Sequence, residues 1–207
     1  MKSPPFPLVS VKTFGRIPTD AQCRAWWDDY RMLEHIKGHS EMVARVAAIL
    51  AQMALEREAG NPQQLSPDDF IQSVRASALL HDLGKTCAIR LGGDHAQLGA
   101  AWVMQLTGNP HIAQGVMHHV CWPGSLDLAR HFLPLVIIYA DKRVRHDELV
   151  SLEERFDDLV DRYGTSERSR VWIERSRQQS LDLENLLSIF LEEDIHAYPF
   201  DRRRLVR

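Results

Sequence analysis

From Thr19 onward the chain has one dominant periodicity: apolar residues return every three or four positions, broken only by "GNPQQLSP", "LGGD", "TGNP" and "WPGS". A strand with one buried face needs alternation at period two, and hardly any occurs, so the segments between breakers are read as helices. The patterns predict helices over about residues 20–33, 36–59, 67–82, 95–107, 110–120, 131–147, 151–163 and 167–192. Residues 1–18 carry four of the ten prolines and little helical periodicity, which predicts an extended arm on the surface or on a partner. The expected architecture is all-α, a single-domain helical bundle over residues 19–207 behind a short extended N-terminal arm. At 207 residues and 44% hydrophobic content, such a bundle can bury a core without disulfides.

Charge and cysteine usage narrow the setting. Lysine and arginine total 25 against 28 acidic residues, a net charge of −3, so no global field favours nucleic acid or an anionic membrane. Cys23, Cys87 and Cys121 are odd in number, far apart and without CxxC spacing, which argues against a disulfide framework and a thiolate zinc site. No uncharged run approaches the roughly 18 residues of a membrane span, and the N-terminus lacks the apolar stretch of a signal peptide. A cytoplasmic protein is expected. The stretch 141–177 is dense in both signs of charge, with Glu153, Glu154, Asp157, Asp158 and Asp161 near Arg155 and Arg162, and reads as a solvated helical face laced with ion pairs. The closing "FDRRRLVR" reads as a frayed basic tail.

Several helices then carry polar residues where their buried stripe continues. In the second helix Met42, Val43, Val46, Leu50 and Met53 define one face, and three to four residues back from its start stands His39. Phe70, Val74 and Ala78 lead to His81 and Asp82, while Pro134, Ile137 and Ile138 lead to Asp141. His95 stands in the same relation to Leu98, Gly99, Trp102 and Leu106, and His119 to Ile112 and Val116. A single histidine on an apolar face is usually a hydrogen-bonded core residue. Neutral imidazoles converging with two carboxylates in a low-dielectric interior leave the carboxylates uncompensated, at several kcal/mol per ion. A divalent cation removes that cost. Imidazole and carboxylate donors without thiolate suit iron, manganese, zinc or cobalt, and two metals bridged by one carboxylate would use this many donors.

Those residues carry a family resemblance. His39, then His81-Asp82 within "HDLGK", then Asp141, in that order on helices, resemble the HD superfamily of metal-dependent phosphohydrolases, over about residues 35–163. His95 in "DHAQLGA" and the pair in "VMHHV" resemble the subgroups that bind two metals, and "YADKRVRHDELVSLEERF" resembles a branch of small stand-alone bacterial HD proteins. After the paired histidines the chain reads "VCWPG", without the Gly-Tyr-Pro signature that accompanies cyclic di-GMP hydrolysis. The resemblance implies an all-α bundle with the site between its central helices. It makes His39, His81, Asp82 and Asp141 ligands of one metal, with Asp82 bridging, and His95 with His118 or His119 ligands of the second. Periodicity favours His119 over His118.

The implied cofactors are two divalent ions, iron or manganese first, with zinc, cobalt, nickel or magnesium as alternatives. The implied reaction is hydrolysis of a small phosphate ester or nucleotide by a metal-activated water, with Asp82 as positioning group or base. Lys85, three residues after Asp82, is a candidate catalytic and substrate-binding cation at the mouth of the site, with a solvent-exposed helix cap as its competing assignment. Arg143 is a second candidate for substrate phosphate, with pairing to neighbouring acids as the alternative. The expected partner is a small phosphorylated molecule, and a homodimer is left open. Two other functions remain at this stage: an HD-type di-iron oxygenase, and a non-catalytic nucleotide-binding regulatory module. His35, His111, His131, His146 and His196 match no ligand position, and "GNPQQLSP", "CAIRLGGD" and "VCWPGSLD" are expected to line the entrance.

Overall fold

A computed structural model describes residues 15–200; most of the predicted arm, residues 1–14, and the basic tail at 201–207 lie outside the described residues. Among the described residues the chain forms nine helices and one two-stranded ribbon. In order these are α1 (Asp20–Asp29), α2 (Glu34–Glu56), α3 (Pro67–Leu80), α4 (Lys85–Leu91), α5 (His95–Thr107), α6 (Pro110–His118), α7 (Leu128–Lys142), β1 (Val144–Arg145), β2 (Glu148–Leu149), α8 (Leu152–Tyr163) and α9 (Glu167–Leu191). The all-α expectation holds.

Local chemistry sets most helix starts. Ser66, Asp94, Asn109 and Asp127 each accept a backbone N–H from the first turn of α3, α5, α6 and α7, and Thr19 and Ser151 form capping boxes with Gln22 and Glu154. Each such cap is worth about 1 kcal/mol against alanine. Pro67 and Pro110 occupy first-turn positions where a missing N–H costs nothing.

Packing follows from which faces are apolar. In α2, residues 43–51 are almost continuously buried, so this helix has no broad solvent face and runs through the centre along α3 and α7. α5 and α6 pair, α6 also lies against α3 and α7, and α9 joins α7 to the α8 side. Trp27 anchors α1 by donating its indole N–H to the Leu79 carbonyl at 2.8 Å.

Two places required an unusually close approach. A Cβ on Gly84 would lie 2.3 Å from the His95 carbonyl oxygen and 2.8 Å from the Gly99 nitrogen, so the turn after α3 touches the backbone of α5 directly. A Cβ on Gly115 would meet Ser77 Oγ at 2.2 Å, which lets α6 lie against α3. Pro134 inside α7 is accommodated by a break at His131 (φ −125, ψ 32), because its ring excludes the carbonyl four residues earlier.

Three expectations need correction. Residues 85–91, read as part of a loop, form α4, a helix stopped by Gly92 and Gly93 at φ +79 and +97. The helix predicted over 131–147 instead spans Leu128–Lys142 and gives way to the β1–β2 hairpin, in which Val144 pairs with Leu149 and His146 takes a left-handed φ of 58. The charged face is not uniformly solvated, because Arg155 is 7% exposed and packs inward beside Phe156. The described end of the arm, residues 15–18, is non-helical and tied to α5 by a backbone bond from Arg16 to the Thr107 carbonyl.

Candidate metal centre

The polar residues singled out by periodicity sit mostly at helix ends. His39 lies in the second turn of α2, His81 and Asp82 follow α3, Asp141 is the penultimate residue of α7, His95 opens α5, and His119 follows α6. All but His95 are buried, and His81 and Asp82 have no exposed surface. The Gly84–Gly99 contact brings the start of α5 over the end of α3, and so carries His95 to Asp82.

The Nδ1 atoms of three histidines are already committed. Those of His81 and His119 lie 2.7 Å from the carbonyls of Ala78 and Val116, three residues earlier, and that of His39 lies 3.0 Å from the His146 carbonyl in the hairpin. A carbonyl only accepts, so Nδ1 must carry the proton and Nε2 of each neutral ring presents a lone pair. Those lone pairs converge on oxygens. His39 Nε2 is 2.9 Å from Asp141 Oδ1, and His81 Nε2 is 3.5 Å from Asp82 Oδ2 and 3.8 Å from Asp141 Oδ1. On the other side of Asp82, Oδ1 faces His95 Nε2 at 3.4 Å and His119 Nε2 at 3.6 Å, the two nitrogens being 3.0 Å apart.

Lone pairs facing carboxylates repel unless a cation lies between them. His81 Nε2 and Asp82 Oδ1 are buried with no hydrogen-bond partner, a costly condition that a metal ion would relieve. Two overlapping groups have ligand atoms close enough to hold an ion: His39, His81 and Asp141, and His81, Asp82 and His119. The donors therefore fit a metal, and a carbonyl behind each ring is the support that ligating histidines commonly have.

The electrostatics agree. Burial alone would raise the two carboxyls, but His81 and Lys85 hold Asp82, and Lys142 and Arg155 hold Asp141, well below the usual range. Burial pushes His39 down, and burial with the neighbouring His119 pushes His95 down to about 4, so both rings are neutral donors at neutral pH. Burial also opposes charge on His81, but the adjoining Asp82 more than offsets it and the ring is raised. A metal ion held there would compete with the proton for His81 Nε2.

Lys85 is at the site rather than capping a helix C-terminus. It opens α4, where the helix dipole disfavours a cation, and is held there by Asp82 Oδ2 at 2.6 Å. Burial pulls its ammonium down, but the Asp82 carboxylate raises it further. Two cations were missed by sequence. Lys142, 5% exposed, donates to Asp141 Oδ2, and Arg155 extends from α8 to within 3.9 Å of Asp141 Oδ1 with its Nε buried and unpaired.

Two proposed site residues are elsewhere. His118 turns toward Trp122, with ring centroids 5.1 Å apart, consistent with periodicity favouring His119. Arg143 is buried away from the site, donating to the carbonyls of Val150 and Ile195, to Tyr139 Oη and to Glu184. Its neighbour in sequence, Lys142, faces the site instead.

A cavity of about 590 Å³ opens above these groups. Its floor is His39, Asp82, His95, His119 and Asp141, with Lys85, Lys142 and Arg155 around it, and its upper walls come from α4, α8 and α9. His35 and His146, set aside in the sequence reading, also line it, as do Ala88, Ile89, Val120 and Cys121 from two of the expected entrance loops. The third, "GNPQQLSP", instead borders a separate cavity of about 20 Å³ with Phe70 and Phe132. Among the described residues, no helix is long and apolar enough to cross a membrane.

No family model, no curated protein and no solved structure matches this chain.

Proposed function

We propose that the protein is a metal-dependent phosphohydrolase of the HD type, acting on a small phosphate ester or nucleotide with two divalent ions, iron or manganese. The observation that carries this reading is that the two oxygens of Asp82 face different histidine groups, Oδ2 toward His81 and Oδ1 toward His95 and His119. A carboxylate so placed is suited to bridging. His39, His81 and Asp141 would complete one ion's ligands, and His95 and His119 the other's.

Bound ions would supply an activated water and polarise phosphoryl oxygens. The chain's own groups do the rest. Lys85, Lys142 and Arg155 line the floor on its Asp82 and Asp141 sides, where they can neutralise phosphate oxygens as charge develops. Asp82 is the candidate to orient the attacking water, and burial of the floor strengthens each of these interactions by excluding solvent.

The test is metal content by inductively coupled plasma mass spectrometry on anaerobically purified protein, followed by a panel of phosphate esters and nucleotides with iron or manganese. About two metals per chain, reduced in both His39→Ala and His119→Ala, and turnover abolished by His81→Ala are expected. A metal-replete protein without turnover on any ester would refute the hydrolase assignment, and nucleotide binding without hydrolysis would identify a regulatory module.

A further inference from the structure

The upper half of the cavity differs in chemistry from its floor. Ile89, Phe156, Leu159, Tyr163, Trp172 and Ile173 form its walls, drawn from three helices, and the uncharged polar groups of the lining away from the buried cluster are the Tyr163 hydroxyl, the Trp172 indole N–H, Cys121, Ser176, His35 and His146. Ile89, Tyr163 and Trp172 stay 62%, 48% and 52% exposed. Apolar side chains clustered at the mouth of a charged cavity are a surface that gains by being covered. The four lysines and arginines lining the cavity, Lys85, Lys142, Arg155 and Arg162, outnumber its two carboxylates, Asp82 and Asp141. Arg155 and Arg162 share Asp158 behind the wall, which fixes their direction without consuming the buried Arg155 Nε. The floor thus suits a doubly charged head, and the walls, in which aliphatic and aromatic carbon predominates, suit a group that buries mainly apolar surface.

We propose, building on the phosphohydrolase reading, that the substrate is a phosphate monoester of a bulky apolar alcohol. Its phosphate lies on the floor between Lys85 and the Lys142–Arg155 pair, and its hydrocarbon part rests against Phe156, Leu159, Trp172 and Ile173. Water attacks phosphorus, the ester P–O bond breaks, and the departing oxygen takes up the proton that the attacking water releases, giving the alcohol and inorganic phosphate. A sugar in the same place would give up water at several hydroxyls against walls that are mostly carbon, so polyhydroxylated esters are disfavoured.

Cyclohexylmethyl phosphate and glucose 6-phosphate test this, since both are esters of a primary alcohol on a six-membered ring. With manganese-loaded protein, kcat/KM is expected to favour the cyclohexyl ester by at least tenfold. Ile173→Asn, and separately Ile89→Ser at an exposed position whose change cannot unfold the core, should each erode that preference through KM with metal content unchanged. Equal rates, or a preference for the sugar ester, overturn the proposal. The corresponding phosphonates, which cannot be hydrolysed, are compared by calorimetry on the same metal-loaded protein. Tighter binding of the cyclohexyl phosphonate without turnover of either ester sinks the hydrolase reading and leaves the pocket assignment standing, whereas equal binding overturns the pocket assignment whatever the turnover.

Discussion

Replacing Gly84 by alanine tests whether one backbone contact assembles the centre. The added methyl carbon would lie 2.3 Å from the His95 carbonyl oxygen, and carbon–oxygen contacts settle near 3.3 Å, so the turn and α5 must separate by about 1 Å. Overpacking of this kind costs about 1–3 kcal/mol, which for a domain of this size lowers Tm by roughly 2–12 °C. The displaced carbonyl belongs to His95 itself, whose Nε2 stands 3.4 Å from Asp82 Oδ1. Ligand bonds from imidazole are about 2 Å long, so a shift of that size removes His95 from any ion shared with His119. On the proposed two-ion hydrolase reading, Gly84→Ala is therefore expected to lose metal from the His95–His119 side, to retain an ion held by His39, and to lose hydrolysis by about a hundredfold. Gly38→Ala is the matched control: its new methyl would have nothing nearer than Asp147 Cβ at 3.7 Å, and a helix-interior alanine should add about 0.5–1 kcal/mol. Thermal melts and metal analysis of the two variants decide it. A Gly84→Ala protein with wild-type Tm and wild-type metal content would refute the reasoning.

Other expectations follow from single groups. Arg143→Met strips a buried cation from Glu184, Tyr139 and two carbonyls, and should cost about 3–5 kcal/mol by denaturant unfolding while leaving metal content unchanged; a variant that loses metal instead would return Arg143 to the site. Chelation should lower Tm without abolishing helical circular dichroism, and titrating manganese back should raise Tm with concentration, by about 4 kcal/mol in stability at a thousandfold excess over Kd. In the chelated protein His95, depressed to about 4, binds fewer protons when folded than unfolded between that value and the ordinary 6.5, so its contribution to stability rises with pH across this window and is lost as pH falls through it. Comparing wild type with His95→Gln from pH 4 to 7 should show the variant's profile flatter there, His81 acting in the opposite sense in both; identical profiles would contradict the assignment.

Much of the centre was legible because burial imposes periodicity. His39, His81, Asp82, Asp141, His95 and His119 each continue an apolar stripe, and a stripe is a property of sequence alone. Lys142 was hidden by the same rule: adjacent to Asp141, it is offset by about 100° around the helix, and only its long flexible stem brings the ammonium to the carboxylate. Arg155 was hidden by its neighbours, since the acids around it resemble a solvated face until Leu152 and Phe156 are seen to share its side of α8. The helix α4 was missed because seven residues between a glycine and a glycine pair are too few for a period to establish itself. The hairpin after α7 has two-residue strands, below the length at which alternation is visible, though it supplies the carbonyl that fixes His39.

Lys85 and Lys142 have a further consequence for how the proposed centre would handle an ion. Each ammonium is docked on one oxygen of one buried carboxylate, Lys85 on Asp82 and Lys142 on Asp141, and each is tethered to a helix rather than borrowed from solvent. They are resident counter-ions. A centre that carries its own partial neutralisation can stand empty without exposing two bare charges to the core, so on the proposed reading ion exchange would be uncoupled from unfolding, unlike small domains that fold only around zinc. The ion held in the cell would then be set by supply and exchange rate as much as by the ligands, and the same folded chain is expected to survive being emptied, reloaded and compared metal by metal.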